Sequence, residues 1–425
     1  MRLPRDNRGT WLAASVLAVI AVIVVGIAIY EVTKTKNVSN PNVAFVNTDT
    51  TSTKAVAKPG KKFVWPIYGL NDARTRDFQG PADLKPPFTV KWKLSGNGPL
   101  EFPPVIDGNT LYFMDDNGSV NKVDAITGKR LWRKSIGTWS AATPALDVKL
   151  GLMFVPVLSV SGHSPGNGRF VAMSMRNGTI KWSYPLSAGS ESSPLIVGDN
   201  VYFGDAAGTV RDLNVLTGHE VWSFPTGGPE KGGPTYHDGI LYFGNYSGQV
   251  FAVNAKTGKQ VWESSVGPGI YASPTYAYGR LYFGSTGGDF YSLSATTGVE
   301  AWSIGTGSYV YSSAAVADPP KLGPTVYFGS YNGDAYAVNA HTGTIDWQRK
   351  VVNSISGAAS IVNNVVFFSG VYPVDGHGST VGLNMTSGDE VYSYPDGAYT
   401  ATVATPRAVY LMGHYTLYEL LPKKR

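Results

Sequence analysis

Cysteine is absent from all 425 residues. That absence excludes disulfides, thiolate metal sites, a cysteine nucleophile and a lipid-modified N-terminal cysteine. Charge is also scarce, at 15% of residues, against roughly 25% in an ordinary soluble protein. The formal net charge of +5 is confined to the two ends. Arg2, Arg5 and Arg8 stand against Asp6, and the chain closes on Lys423, Lys424 and Arg425. No basic stripe is left for nucleic acid. No serine occupies a nucleophile elbow, and no glycine-rich loop leads from a strand into a helix. Histidines number six. His163 lies in the loop SGHSPGNG (161–168), and His377 follows Asp375 in VYPVDGHGST (371–380). One histidine per loop is far from a ligand set, so no metal site is expected.

What is present is apolar, aromatic and rich in glycine: 43% hydrophobic residues, Gly 50, Tyr 25 and Trp 10. That mixture points to many short strands joined by tight turns, with rings packed between sheets. Residues 11–30, WLAASVLAVIAVIVVGIAIY, carry no charge. A helix of that length spans about 30 Å, enough to cross hydrocarbon. The run ends Ala28-Ile29-Tyr30-Glu31, without the small-x-small site of a cleaved signal. It is therefore expected to be an uncleaved anchor. The preceding arginines leave residues 1–10 in the cytoplasm and export the rest from a single-pass plasma-membrane protein. Trp11 and Tyr30 mark the two interfaces. Residues 31–62 turn to Thr, Ser, Asn and Lys without sustained periodicity, which reads as a flexible tether. Asn37-Val38-Ser39 fits a glycosylation acceptor. A lead-in, 63–87, precedes the repeats, which occupy 88–425.

The repeats declare themselves by register. Seven times a glycine is followed four residues later by a large aromatic: Gly128/Trp132, Gly178/Trp182, Gly218/Trp222, Gly258/Trp262, Gly298/Trp302, Gly343/Trp347 and Gly388/Tyr392. Trp92 precedes them without the turn. Successive spacings are 40, 50, 40, 40, 40, 45 and 45 residues. Within 262–302 the unit reads as strand A near SPTYAY, strand B at RLYFG, strand C at DFYSLS and strand D carrying Trp302. Four strands per 40–50 residues is the signature of propeller blades. The eight aromatics are expected to wedge each blade against the next, burying about 150–250 Å² apiece. After Tyr392, YTATVA, AVYLMG and TLYEL supply three strands without a fourth, while FTVKW (88–92) is a strand D without its partners. Joining them completes an eighth blade and leaves no open edge. The expected fold is all-β: an eight-bladed propeller of four-stranded antiparallel blades, preceded by one transmembrane helix.

The turn itself resembles the pyrroloquinoline-quinone repeat, Ala-x-Asp-x-x-Thr-Gly-x-x-x-Trp. Ala252-Val253-Asn254 through Gly258 and Trp262 matches it, as does Ala337-Val338-Asn339 through Trp347. The resemblance covers about 63–420, and WPIYGLNDARTR (65–76) looks like the segment leading into such propellers. It implies fold more strongly than activity. The family includes quinone-dependent alcohol and glucose dehydrogenases, a lipoprotein that scaffolds outer-membrane protein assembly, and sensor domains. A dehydrogenase of this kind needs calcium with hard oxygen ligands, a carboxylate base and a flat aromatic beneath the quinone.

In a propeller the D–A and B–C connections open on one face. Nine residues beyond each aromatic stand Glu101, Ala141, Glu191, Lys231, Tyr271, Tyr311, Ser356 and Ala401; seven beyond, Trp139, Tyr309 and Tyr399. Glu191 and Glu230 with Lys231 form the best charged group, and a salt-bridged surface cluster is the expected role. Trp139, Tyr271, Tyr309, Tyr311 and Tyr399 offer stacking area for a ligand. No catalytic or cofactor site is expected. The favoured function is a non-enzymatic scaffold held at the outer face of the plasma membrane and binding a protein or envelope component. The alternatives are a quinone- and calcium-dependent dehydrogenase and a carbohydrate or small-ligand sensor.

Overall fold

A computed structural model describes residues 37–47, 54–56, 62–162, 166–370, 378–399 and 402–423. The segment expected to span the membrane, 11–30, lies outside them, as do His163, Asp375 and His377. Among the described residues no helix is long and apolar enough to cross a membrane.

The described chain folds into eight sheets, each built on a four-stranded antiparallel blade. Inner strands Val105–Asp107, Ala145–Asp147, Leu195–Val197, Thr235–His237, Thr275–Ala277, Ala315–Ala317, Ser360–Val362 and Thr402–Ala404 open blades one to eight. Blade five shows the pattern: strand A at Thr275–Ala277, B at Arg280–Gly284, C at Asp289–Ser294 and D at Glu300–Gly305. Blade eight takes A, B and C from the C-terminal end and D from Phe88–Ser95. Trp92 faces Glu419 in that pairing. The ring closes as the unpaired N- and C-terminal strands require.

The repeat motif has a mechanical reading. The Asn or Asp of the motif caps the C–D turn: Asn254 Oδ1 accepts from the amides of Lys256 and Thr257 and from the Thr257 hydroxyl. Gly258 then takes φ +67°, a left-handed conformation that glycine adopts at no steric cost. Strand D slips register before its aromatic, so that Ala252 faces Trp262 while Val253 faces Gln260. This bulge re-aims the side chain. The indole lands on the next blade's turn: a Cβ on Gly298 would sit 2.6 Å from Trp262 Cε3. Seven indoles donate to a carbonyl of the following blade, at Ala125, Arg176, Val215, Ala255, Ala295, Ala340 and Met385.

The wedges are not equally enclosed. Trp302 and Trp347 are buried, but Trp132 and Trp182 are only half-buried. Each of these two packs against the margin of a core cluster rather than within it. Strand D is the outermost strand of each blade. On blade five the N-terminal strand Val38–Ser39 pairs along strand D at Trp302; no described strand pairs with the outer edges carrying Trp132, Trp182 or the buried Trp347. Trp182 otherwise seats as the motif requires, donating to Val215 at 3.0 Å, with Gly218 beneath the ring. Trp132 is displaced by one residue. The Met175 carbonyl, which the repeat would assign to it, already accepts from Lys122 Nζ in addition to the strand-B hydroxyl of Tyr112. Its indole therefore reaches Arg176 at 3.2 Å, and a Cβ on Gly178 would meet Lys134 Cγ at 2.7 Å before Trp132 Cζ3 at 3.2 Å. Trp92, Trp222, Trp262 and Tyr392 are half-buried as well.

Strand B adds a second bolt. The hydroxyls of Tyr202, Tyr282 and Tyr327 donate to the same carbonyls, Ala255, Ala340 and Met385, that receive Trp222, Trp302 and Trp347. Blade eight follows suit, with Trp92 and Tyr410 both donating to Ala125 of blade one. Stacked rings fill the space between blades, as with Phe170 on Phe203 at 3.9 Å and Phe290 on Phe328 at 3.8 Å.

The lead-in threads the axis. Val64 and Trp65 pair with blade one. Beyond them, the carbonyls of Pro66, Asp72, Ala73, Thr75 and Arg76 accept the amides of Leu146, Tyr236, Tyr276, Val316 and Ile361, on blades two, four, five, six and seven. Inner strands would otherwise expose unpaired edges to the channel, and the lead-in satisfies them. Ordered contacts also reach into the stretch expected to be a tether. Val38 and Ser39 pair with the outer strand of blade five, and Phe45 stacks on Tyr278 and His341. Lys54–Val56 run parallel to Asp77–Gln79. Composition alone concealed this docking, because pairing through backbone groups asks little of the side chains.

Candidate functional site

After each strand D the chain crosses one face of the ring from the rim to the axis. Serine hydroxyls stitch these crossings together: Thr143 donates its amide to Ser193 Oγ, Gly233 to Ser273 Oγ, and Ser273 to Ser313 Oγ. The crossings thus hold a fixed spacing, and the residues ahead of them converge on the axis. There they surround a cavity of about 210 Å³.

Six of the eight residues found nine positions beyond an aromatic line this cavity: Glu101, Glu191, Lys231, Tyr271, Tyr311 and Ser356. Tyr399 lines it too. Ala141 is buried outside it, and Ala401 lies outside the described residues. Trp139 is not in its wall; its backbone pairs with Ser159 on blade two. Tyr309 stands at the rim, 51% exposed and stacked on Tyr311 at 5.6 Å. Glu230 is turned away from the cavity. Its side chain is buried between blades, against Gly204, and burial pushes its carboxyl well above the usual range. The pair Glu191–Lys231 forms as expected, but without Glu230.

Sequence reading missed Tyr68, Phe102, Tyr246 and Tyr331, which complete the walls. Tyr246 and Tyr331 sit on B–C turns written GNYSG and GSYNG. A tyrosine bracketed by turn glycines was the available signal. Tyr68 comes from the lead-in, which has no period to betray it.

The charges in this funnel are largely settled among themselves. Lys231 holds Glu191, and the Tyr271 hydroxyl donates to the other Glu191 oxygen at 3.1 Å. Glu101 lies beside Asp116 and near Glu191; burial, then the Glu191 charge, pushes its carboxyl up to about 7. Asp116 is pushed up to about 8 by burial and by Glu101. The two share a proton near neutrality. Tyr311 packs against Tyr271 at 5.0 Å and Tyr331 at 5.1 Å, and the Tyr331 hydroxyl contacts Ser356 Oγ at 3.3 Å.

Residues 75–232 and 206–419 match the family described as outer membrane protein assembly factor BamB. This chain belongs to that family. A curated BamB from Burkholderia pseudomallei (strain K96243) is 28% identical over 175 residues, which take in 32% of this chain and 46% of that protein. The match therefore spans less than half of that relative. Among solved structures, BamB from Moraxella catarrhalis superposes with a TM-score of 0.62 at 20% identity, covering 79% of this chain and 99% of that one. A quinohemoprotein alcohol dehydrogenase from Comamonas testosteroni reaches 0.66 at 15% identity, covering 85% and 81%. Likeness at these identities concerns the fold.

The quinone and calcium implied by the wider resemblance do not fit the residues present. Calcium asks for six to eight oxygen ligands. Here Glu191 is held by the Lys231 ammonium, and Glu101 and Asp116 hold a proton between them. Among the described residues no three Asp, Glu, His or Cys side chains are grouped to hold a metal ion. The cavity's 210 Å³ is also below the roughly 300–1,000 Å³ of ordinary ligand pockets.

Proposed function

We propose that this BamB-family propeller is a non-enzymatic scaffold of the cell envelope that receives a segment of a partner protein in its tyrosine-walled funnel. The supporting observation is the funnel itself: aromatic walls around the Glu191–Lys231 ion pair and the proton-sharing Glu101 and Asp116, with no metal-ligand set among the described residues. Such a surface offers rigid stacking area and a desolvated acidic group, the features that concentrate binding energy at protein interfaces. The name of the matched relatives, assembly factor, supports a partner-binding role of this kind.

The proposal includes a membrane anchor at residues 11–30, with the propeller on the outer side of the plasma membrane. Residues 40–47 approach the ring on the face of the A–B and C–D turns, touching Tyr278 and His341. An anchor upstream of them would therefore leave the funnel facing away from the lipid. The test is affinity capture of the full chain from envelope extract, comparing wild type with Tyr309→Ala and Tyr311→Ser variants of unchanged melting temperature. A protein retained by wild type and lost by the variants is expected. Equal retention by all three, or no specific protein, refutes the reading.

A dehydrogenase reading draws on fold likeness to quinohemoprotein enzymes. Purified chain given quinone and calcium is expected to show no spectral change and no dye reduction with alcohols or sugars; either signal would establish that reading instead.

A further inference from the structure

Beneath the funnel floor the lead-in carries two arginines into the axis of the ring. Arg74 is 0% and Arg76 2% exposed. The ion pairs among the described residues engage Lys62, Arg211, Lys231 and Arg407, and neither of these two. Arg74 is satisfied by carbonyls alone, donating to Pro234 at 2.8 Å, Tyr68 at 2.5 Å and Ser193 at 3.0 Å. Arg76 is not. Its Nη1 serves Arg74 O, Ala314 O and Thr275 Oγ1, while Nε and Nη2 are buried without a hydrogen-bond acceptor. The Arg76 guanidinium lies over the Tyr68 ring, 4.6 Å from its centroid.

Arg76 forms part of the wall of a second, small cavity of about 20 Å³. Facing it are Tyr68, Ser360 and Thr402, and no Asp or Glu lines the space. The Ser360 and Thr402 hydroxyls lie 2.9 Å apart, and Ser360 Oγ also accepts the Thr402 amide. Either hydroxyl can donate in this pair, and with Ser360 donating the Thr402 proton is left for a third group. The side chains around the cavity thus offer donors and no carboxylate.

We propose that this cavity binds a small monovalent anion, chloride being the physiological one, held by the Arg76 edge and the Thr402 hydroxyl. A cavity needs about 10–15 Å³ to admit one water-sized particle, so there is room for a single occupant. A water there would answer the hydrogen bonds but leave the Arg76 charge buried without an ion pair, and burying unpaired charge is far costlier than burying an unpaired dipole. An anion answers both. Burial pushes the Arg74 guanidinium down to about 9, with the Arg76 charge adding to the effect, a further sign of the positive field on the axis. This inference stands apart from the funnel's role, since it concerns how the lead-in is seated.

The test uses the full chain. Melting temperature is measured in sodium chloride and in sodium gluconate at matched ionic strength, and crystals grown with bromide are examined for anomalous scattering. The chloride sample should melt higher, the gap should widen as chloride rises, and bromide should appear within hydrogen-bond distance of Arg76. Arg76→Gln should abolish the salt difference. If that variant fails to fold, Thr402→Val, which keeps the charge, should shrink it. Equal melting in the two salts, or no bromide beside Arg76, overturns the proposal and leaves a water in the cavity.

Discussion

At the scale of single residues, the ring is bolted by paired donors. Trp222 Nε1 and the Tyr202 hydroxyl both reach the Ala255 carbonyl, at 2.9 and 3.2 Å. Trp222→Ala should cost about 3–5 kcal/mol, the usual loss for a large aromatic removed from a packed site. Trp222→Phe keeps a smaller ring and loses the hydrogen bond, worth about 0.5–1.5 kcal/mol, so its cost should fall between that figure and the alanine variant's. Chemical denaturation of the two variants separates these terms. The indoles were legible because their spacing repeats, whereas the tyrosine bolts were hidden among other strand-B aromatics. Spacing said nothing of how deeply each ring sinks: Trp132 and Trp182 share the motif of Trp302 and Trp347 yet are half-buried where those two are buried. Glu230 was misjudged for a similar reason, since adjacency to Lys231 in sequence is no guide to a side chain that turns between blades. Glu101 and Asp116 give a pH signature. Their carboxyls, near 4 in an unfolded chain, are raised to about 7 and about 8 in the fold. Their contribution is whole at low pH and lost as pH rises through 7 and 8. Glu101→Gln should therefore flatten the fall in melting temperature between pH 5 and pH 9; an unchanged slope would show that these carboxyls are not coupled.

At the scale of elements, one exception to the repeat explains itself. Tyr392 stands where the other blades carry tryptophan. The blade it faces, blade eight, has no C–D turn, because its C and D strands come from opposite ends of the chain. Without a turn glycine to receive an indole, the smaller ring packs edge-on against Phe88 at 5.3 Å. Strands and closure were readable from alternation and counting. The lead-in was not: its Arg76 carbonyl meets Ile361, far along the chain, and no period announces such a pairing. One deletion and one substitution test this level. Removing 398–425 should abolish cooperative unfolding of the whole ring, and a truncated chain melting as before would refute the closure. Gly69 takes φ +89°, and a Cβ there would lie 2.8 Å from Arg74 Cβ. Gly69→Ala should therefore destabilise by about 1–3 kcal/mol, measured as a lowered denaturation midpoint.

At the scale of the whole molecule, the two faces differ. One receives the N-terminal segments 40–47 and 54–56 and the start of the lead-in. The other opens as the tyrosine funnel. The ring of residues nine beyond each aromatic could be placed at that mouth from counting alone, since a strand of fixed length must deliver them there. What sequence could not reveal was the floor, because Tyr68 arrives from outside the repeat. The asymmetry makes the account directly testable in intact cells. A photoreactive phenylalanine analogue is placed either at Tyr309, 51% exposed on the funnel rim, or at Leu216, 61% exposed on the opposite face. The account predicts a discrete protein adduct on illumination from position 309 and none from 216. No adduct from 309, or the same adducts from both, would contradict it.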